Sequence, residues 1–201
     1  MFFDEIFRAV AQKVFLSAIP FLFWVFAGRK TQSFFSWIGL KRITVAERGK
    51  FIVGIVAALA VVAAMSPVLD PLLPDDVQLA SIRFAGLGLA ALPGAVVFSF
   101  FATALPEEVL FRGFLGTLLS KRLGFAAGNT VQALLFGLLH GAALFTVLGL
   151  WLPLLVVAFT GTLGWIMGYV NRKADGSINP SVLIHGLTNV YASVIIMFSI
   201  L

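Results

Sequence analysis

The feature that most constrains this chain is a cluster of charged residues between two long stretches that carry none. Residues 84–106 contain no Asp, Glu, Lys or Arg, and neither do residues 123–171. The segment between them carries two acids and a nearby base, Glu107, Glu108 and Arg112. Ionisable side chains at membrane depth are costly, face the protein interior and mark functional sites by default. We therefore expect the rest of the chain to pack around this cluster.

The overall composition is typical of a membrane protein. The chain is 60% hydrophobic and only 11% charged, with a mean hydropathy of +1.04, whereas a soluble domain carries about 25% charged residues. This composition predicts an all-α fold, a polytopic membrane helix bundle. The absence of cysteine excludes thiol nucleophiles, disulfides and Cys-ligated metal. The net charge of +5 does not indicate nucleic-acid binding, because the basic residues lie in short clusters between apolar runs.

Apolar runs separated by polar loops predict about six transmembrane helices. They cover residues 14–28, 51–69, 84–121, 125–140, 148–171 and 178–201. The fourth and fifth of these runs are joined without any charged residue. We divide the chain into residues 1–83, with two accessory helices, and residues 84–201, which form the core.

Basic residues indicate the orientation. They cluster in residues 29–50, at Lys121-Arg122 and at Arg172-Lys173, and the positive-inside rule places such loops in the cytoplasm. The acidic loop of residues 70–83 is then external. The aromatic residues of the 29–50 loop predict that part of it, from Phe34 to Ile38, lies in the membrane interface.

The run from Phe84 to Lys121 is too long for a simple span. Its 38 residues would form a helix about 57 Å long, against a hydrocarbon core of about 30 Å. The segment must therefore tilt, break or divide, and Pro93 and Pro106 are the predicted break points.

Spacing separates the charged residues into two roles. Glu108 and Arg112 are four residues apart, which favours an ion pair on one helix face, and we expect this pair to be structural. Glu107 has no such partner on its own helix. Its distance from the turn at Lys121 matches that of His140 from the same turn, so a helical hairpin places the two opposite each other.

The remaining strongly polar side chains complete a candidate catalytic set. His185 and Asn189 are also four residues apart and project from one face. Glu107 and His140 can hold and deprotonate a water molecule, and His185 and Asn189 can stabilise an oxyanion. Each residue alone has a structural explanation, because intramembrane His and Asn commonly bond neighbouring helices.

Taken together, three ordered motifs resemble a known family. They are Glu107-Glu108-x-x-x-Arg112, Phe136-x-x-x-His140 and His185-x-x-x-Asn189. They resemble the CPBP intramembrane proteases, the CAAX-processing and bacteriocin-processing group that includes type II CAAX prenyl endopeptidase-like and abortive-infection-type membrane proteins. The resemblance covers residues 84–201.

The resemblance implies an intramembrane endopeptidase with Glu107, His140, His185 and Asn189 as its catalytic residues. The family is often classed as metalloproteases, and a zinc ion would need His140, His185 and Glu107 as ligands. We expect no tightly held metal, because no His-Glu-x-x-His motif is present. The implied partners are the lipid bilayer and membrane-embedded or lipid-modified protein substrates. The implied location is a bacterial plasma membrane, with the active site open to the cytoplasm.

Two other functions stay open from the sequence. The chain can be a non-catalytic membrane immunity or scaffold protein of the same fold. It can also be a proton-coupled transporter with Glu107 and His140 as a relay, although the hydropathy pattern shows no inverted repeat. Serine and aspartyl intramembrane proteases are excluded, because the chain has no Gly-x-Ser-x-Gly motif and its aspartates lie outside the predicted spans.

Overall fold

The fold was analysed in a computed structural model that describes residues 2–69, 72, 81–142 and 144–198. The described residues form helices and connecting turns, with no β-strand among them. The predicted all-α membrane fold is therefore confirmed. Most of the predicted external loop, including Asp70, Asp75 and Asp76, lies outside the described residues.

The first part of the chain forms two long helices and a short one. Helix α1 spans Phe2–Ala27, α2 spans Phe34–Trp37, and α3 spans Arg48–Leu69. Ser33 caps α2 by accepting a hydrogen bond from the backbone N–H of Ser36. Such a cap satisfies one of the free amides at a helix start.

The charged cluster lies on a single helix of 36 residues, Gly88–Leu123, which we call the long helix. Its α-helical parts are α4, α5 and α6, at Leu92–Val97, Leu105–Glu108 and Thr117–Leu123. Two π-helical segments, Phe98–Ala104 and Val109–Gly116, lie on either side of α5.

The break predicted at Pro106 is wrong, because the chain stays helical through it. A proline removes one backbone donor, and a local π-helical adjustment accommodates this loss within a membrane helix. Pro93 lies in the first turn of α4, where a proline needs no backbone donor.

Four further helices follow a turn at Gly124. They are α7 at Phe125–Ala142, α8 at Phe145–Leu148, α9 at Trp151–Lys173 and α10 at Asn179–Met197. Gly124 has a φ of +79°, which a glycine adopts without strain. The long helix and α7 therefore form the antiparallel hairpin that the sequence predicts.

Helices α7 and α9 approach closely because glycines face each other. A Cβ atom on Gly137 of α7 would lie 2.5 Å from the carbonyl oxygen of Val157 and 3.2 Å from Gly161 Cα, both in α9. Small residues at such positions let membrane helices pack backbone to backbone. This contact holds His140, one turn beyond Gly137, against the centre of the bundle.

Four helices of the described part of the chain are long and apolar enough to cross a membrane. They are α3, the long helix, α9 and α10. In α1 only the shorter stretch Leu16–Ala27 is apolar, and α7 carries Asn129, Gln132 and His140 among its apolar residues. The predicted number of about six spans is therefore not confirmed, although the membrane bundle is.

The connecting loop of residues 38–47 packs onto the core. Ile38 is only 1% exposed and contacts Val109 and Ile178. The interfacial position of residues 34–38 stays a prediction. The carbonyl oxygen of Ile38 would lie 2.5 Å from a Cβ on Gly113. A glycine in the long helix therefore admits the backbone of the loop. The division of the chain at residue 83 stays a prediction.

Hydrogen bonds fasten this connecting loop to the turn between α9 and α10. The backbone N–H of Ile178 donates to the carbonyl of Gly39, and Ser177 Oγ and Asn179 Nδ2 both donate to the carbonyl of Lys41. Two ion pairs, Lys41–Asp175 and Lys173–Glu47, add to the contact. These contacts fix the start of α10, the helix that carries His185.

Candidate active site

The two adjacent acids lie on the short helix α5, between the two π-helical segments. Such segments within α-helices occur frequently at functional sites. Here they change the direction in which side chains leave the long helix just before and just after Glu107 and Glu108. Both acids face the bundle interior, where α7 and α10 pack against them.

Glu108 is the centre of a buried polar network. Its Oε1 atom lies 2.9 Å from Arg112 Nη1 and also 2.9 Å from His185 Nδ1. The side chain of Glu108 is fully buried, and that of Arg112 is 1% exposed. An isolated charge in such a place would be strongly destabilising, so each group depends on its partner. The network links the long helix to α10.

Glu107 faces the two histidines. Its Oε2 atom lies 3.7 Å from His140 Nε2 and 3.9 Å from His185 Nε2. This oxygen is buried and has no hydrogen-bond partner in the protein. The side chain of His140 keeps 30% of its exposure, against 9% for His185. The more open side of the site is therefore the one formed by Glu107 and His140.

Hydrogen bonds at the Nδ1 atoms, which face away from Glu107, determine the tautomer of each imidazole ring. His140 Nδ1 lies 2.8 Å from the carbonyl oxygen of Phe136, and because a carbonyl only accepts, Nδ1 carries the hydrogen. His185 Nδ1 donates to Glu108 in the same way. In each neutral ring the Nε2 atom then has a lone pair directed at Glu107.

Three hydrogen-bond acceptors thus meet at one point, Glu107 Oε2 and the Nε2 atoms of His140 and His185. Acceptors do not bond one another, so a proton donor is required between them. A water molecule has two protons and an oxygen nucleophile, and it can lie to one side of these atoms at about 2.8 Å from each. The arrangement can hold a water molecule and take a proton from it.

Asn189 lies one turn beyond His185 on α10, and its carboxamide contacts the long helix. Its Nδ2 atom donates to Thr103 Oγ1 at 2.8 Å, and Thr103 in turn donates to the carbonyl of Ser99. The structure therefore brings Glu107, His140 and His185 together and places Asn189 beside the first π-helical segment. The carboxamide retains a second N–H donor.

The aromatic ring of Phe136 contacts several members of the site. The guanidinium carbon of Arg112 lies 4.0 Å from its centroid, and the His140 ring centroid lies 4.3 Å away. The His185 ring stands perpendicular to it at 5.9 Å. Arg112 binds this ring face by a cation–π interaction. Phe136 therefore fixes the distance between the ion pair and both histidines.

Sequence reasoning missed two of these contacts. It paired Glu108 with Arg112 alone. It did not connect Glu108 to His185, because these residues lie 77 positions apart in the chain. It also gave no role to Thr103. The one available signal for Thr103 was its position one turn before Glu107, as a polar residue in an apolar run.

The distances from Glu107 to His140 and His185 are longer than those of a zinc site. In a tetrahedral zinc site with ligand bonds near 2.1 Å, the ligand atoms lie about 3.4 Å apart, whereas Glu107 Oε2 lies 3.7 and 3.9 Å from the two nitrogens. No group of three His, Asp or Glu side chains in the described residues is arranged to hold a metal ion. The donor set does not fit zinc as placed, and no step below uses a metal.

Comparison with known proteins gives one match. The model of the Rce1-like family, described as type II CAAX prenyl endopeptidase Rce1-like, matches residues 88–191. This range is just over half of the chain and contains all three motifs. No curated protein and no solved structure matches.

Proposed function

Because the chain belongs to the Rce1-like family, the type II CAAX prenyl endopeptidases, we propose that it is an intramembrane endopeptidase that hydrolyses a peptide bond with water activated by Glu107 and His140. Membership of the family agrees with the resemblance seen in the three motifs, and the fold is that of a CAAX-type membrane protease. The finer assignment of mechanism, residues and substrate is our proposal.

One observation supports this mechanism most strongly. Glu107 has a buried carboxylate oxygen without a hydrogen-bond partner, directed at two imidazole nitrogens less than 4 Å away. A buried, unsatisfied acceptor destabilises a fold, and a functional site is one explanation for such an atom. A water molecule bound here can donate one hydrogen bond to Glu107 and the other to His140.

The first step follows from the hydrogen-bond capacities. The water oxygen attacks the carbonyl carbon of the scissile bond as Glu107 takes one of its protons. His140 accepts a hydrogen bond from the other proton and holds the water in position. A C–O bond forms, and the carbonyl π electrons move to the oxygen, which becomes an oxyanion.

The second step releases the products. The oxyanion reforms the carbonyl as the C–N bond breaks, and the proton held by Glu107 passes to the leaving nitrogen. For this role His185 takes up a proton from solvent at Nε2 before the attack. The imidazolium then donates Nε2–H to the oxyanion and is stabilised by the carboxylate of Glu108 through Nδ1. Asn189 contributes its second N–H after a change of rotamer. Arg112 acts as a positioning residue, because it holds Glu108.

Substrate and location are part of the same proposal. A site inside a bundle of apolar helices receives segments that reach it through the membrane, so we propose membrane-embedded or lipid-modified proteins as substrates. The basic clusters lie at the ends of α6 and α9, which favours a site open to the cytoplasm. The location that we propose is a bacterial plasma membrane.

Membrane proteomics tests this function without knowledge of the substrate. Cells that produce the wild type, Glu107→Gln or Asp175→Asn are compared for the termini of their membrane proteins. Asp175→Asn is the matched control, because it makes the same acid-to-amide change at an exposed turn residue with a positive φ of 56°, which Asn tolerates.

We expect trimmed termini in the wild type and in Asp175→Asn, and their absence in Glu107→Gln. Identical termini in all three would contradict the peptidase proposal. An unchanged cellular phenotype in Glu107→Gln would then favour the immunity or scaffold function.

A further inference from the structure

A polar cavity lies beside Arg112, the basic member of the buried ion pair. Its volume is about 700 Å³, and α6, α7, α9 and the connecting loop contribute to its wall. Arg112, Lys121 and Arg172 line it, whereas Glu107 and His140 do not. The cavity is therefore separate from the candidate active site and shares only Arg112 with the network around it.

Arg112 contributes to the wall of the cavity, but its guanidinium does not open into it. Nη1 bonds Glu108, and Nε and Nη2 are buried without a hydrogen-bond partner in the protein. The side chain is only 1% exposed, and a Cβ on Gly164, which does not line the cavity, would lie 2.9 Å from Nη2. Direct contacts to a ligand in the cavity therefore come from the residues at its mouth.

The mouth of the cavity carries uncompensated positive charge. Lys121 is exposed and forms no ion pair within the described part of the chain. Arg172 lies over the ring of Phe125 at 4.6 Å, which leaves its N–H groups available. The two acids of the wall are already paired, Glu47 with Lys173 and Asp175 with Lys41. The net field therefore favours an anion.

We propose that this cavity binds a phosphate-bearing anion through Lys121 and Arg172 at its mouth. A tetrahedral phosphate has several acceptor oxygens, which match an ammonium and a guanidinium group that approach from different sides. Hydroxyl groups of Thr117 and Ser120 also line the space. The headgroup of an anionic phospholipid and free phosphate share this chemistry, and the cavity is large enough for either.

Thermal unfolding of the purified full chain tests the proposal. One arm compares sodium phosphate with sodium chloride at equal ionic strength in an uncharged detergent. The other arm compares lipid nanodiscs of phosphatidylcholine with nanodiscs that also contain phosphatidylglycerol. A rise in Tm in the first arm identifies free phosphate as a ligand, and a rise in the second identifies a lipid headgroup.

Variants at the mouth distinguish this cavity from a general surface attraction. Lys121→Gln and Arg172→Gln change exposed residues, and each should weaken binding by about tenfold, the effect of losing one charge-assisted hydrogen bond. Arg122→Gln removes the same charge from the neighbouring exposed residue, which does not line the cavity, and should bind as the wild type does. If neither arm stabilises the wild type, or if Arg122→Gln weakens binding as much as Lys121→Gln, the proposal is wrong.

Discussion

Glu107 and Glu108 are neighbours in the chain but lie in different surroundings. Glu108 is fully buried and bonds both Arg112 and His185, whereas the Glu107 side chain keeps 16% of its exposure and has an oxygen without a hydrogen-bond partner. Two adjacent residues point about 100° apart around a helix. One acid therefore holds the site together, and the other is free to exchange protons.

This difference predicts that a Glu→Gln substitution lowers stability at position 108 but not at position 107. Glu108→Gln leaves the guanidinium of Arg112 buried without a counter-charge, which should lower the free energy of unfolding by about 3 to 5 kcal/mol. Glu107→Gln removes a carboxylate that has no such partner and should leave stability unchanged or raise it. Unfolding curves of the two purified variants in detergent give the comparison. Equal losses would contradict the separate roles.

Residue spacing predicted part of this site. Glu107 and His140 are about equally far from the turn at Lys121, which predicts that they face each other. In the structure Glu107 Oε2 lies 3.7 Å from His140 Nε2. The four-residue step from Glu108 to Arg112 likewise matches their ion pair. The bond from Glu108 to His185 depends on how α10 is rotated and inserted, which local spacing does not determine.

At the scale of elements, the connecting loop and the π-helical segments shape the site. The loop closes over the long helix at Gly113 and is bonded to the turn that starts α10. Neither the packing of this loop nor the π-helical segments can be predicted from the sequence. The loop is polar and basic, typical of an exposed segment, and a π-helical segment has the same apolar composition as an α-helical one. Both arise from contacts between distant parts of the chain.

The ion pairs of the loop predict a pH dependence. Hydrogen bonds from Lys173 and Lys50 lower the pKa of Glu47 from 4.5 to about 2. A lowered pKa in the folded state means that this contribution to stability is complete above the unfolded value and is lost as the pH falls towards the folded value.

We therefore expect the Tm difference between the wild type and Glu47→Gln to be constant above about pH 5, by the linkage between pKa and stability. It should shrink between pH 4.5 and about 2, the range that separates the two pKa values of Glu47. Thermal unfolding of both proteins across this pH range measures the Tm difference. A difference that disappears already near neutral pH would contradict the pairing of Glu47 with the two lysines.

At the scale of the whole molecule, the long helix crosses the bundle and carries the charged cluster near its middle. Its 36 residues correspond to about 54 Å, nearly twice the hydrocarbon thickness of about 30 Å. Composition predicted the membrane bundle correctly, because the apolar runs are long and the charges are few. The number of about six spans is not confirmed, because four helices of the described part of the chain are long and apolar enough to cross a membrane.

The orientation of the bundle can be measured directly, because the chain contains no cysteine. A single Arg122→Cys substitution places a thiol at the exposed end of α6. If this end lies in the cytoplasm, a membrane-impermeant maleimide should label it only after the cells are opened. Labelling of intact cells would place the basic clusters outside.

The central claim is that Glu107 activates water between two histidines inside the bundle. The most direct measurement is the rate of peptide-bond cleavage by the purified chain in proteoliposomes, with a substrate identified from the trimmed termini. We predict that Glu107→Gln lowers this rate by about 10²–10⁴-fold, the usual contribution of a general base, while Asp175→Asn keeps the wild-type rate. A Glu107→Gln protein that cleaves as fast as the wild type would contradict the account.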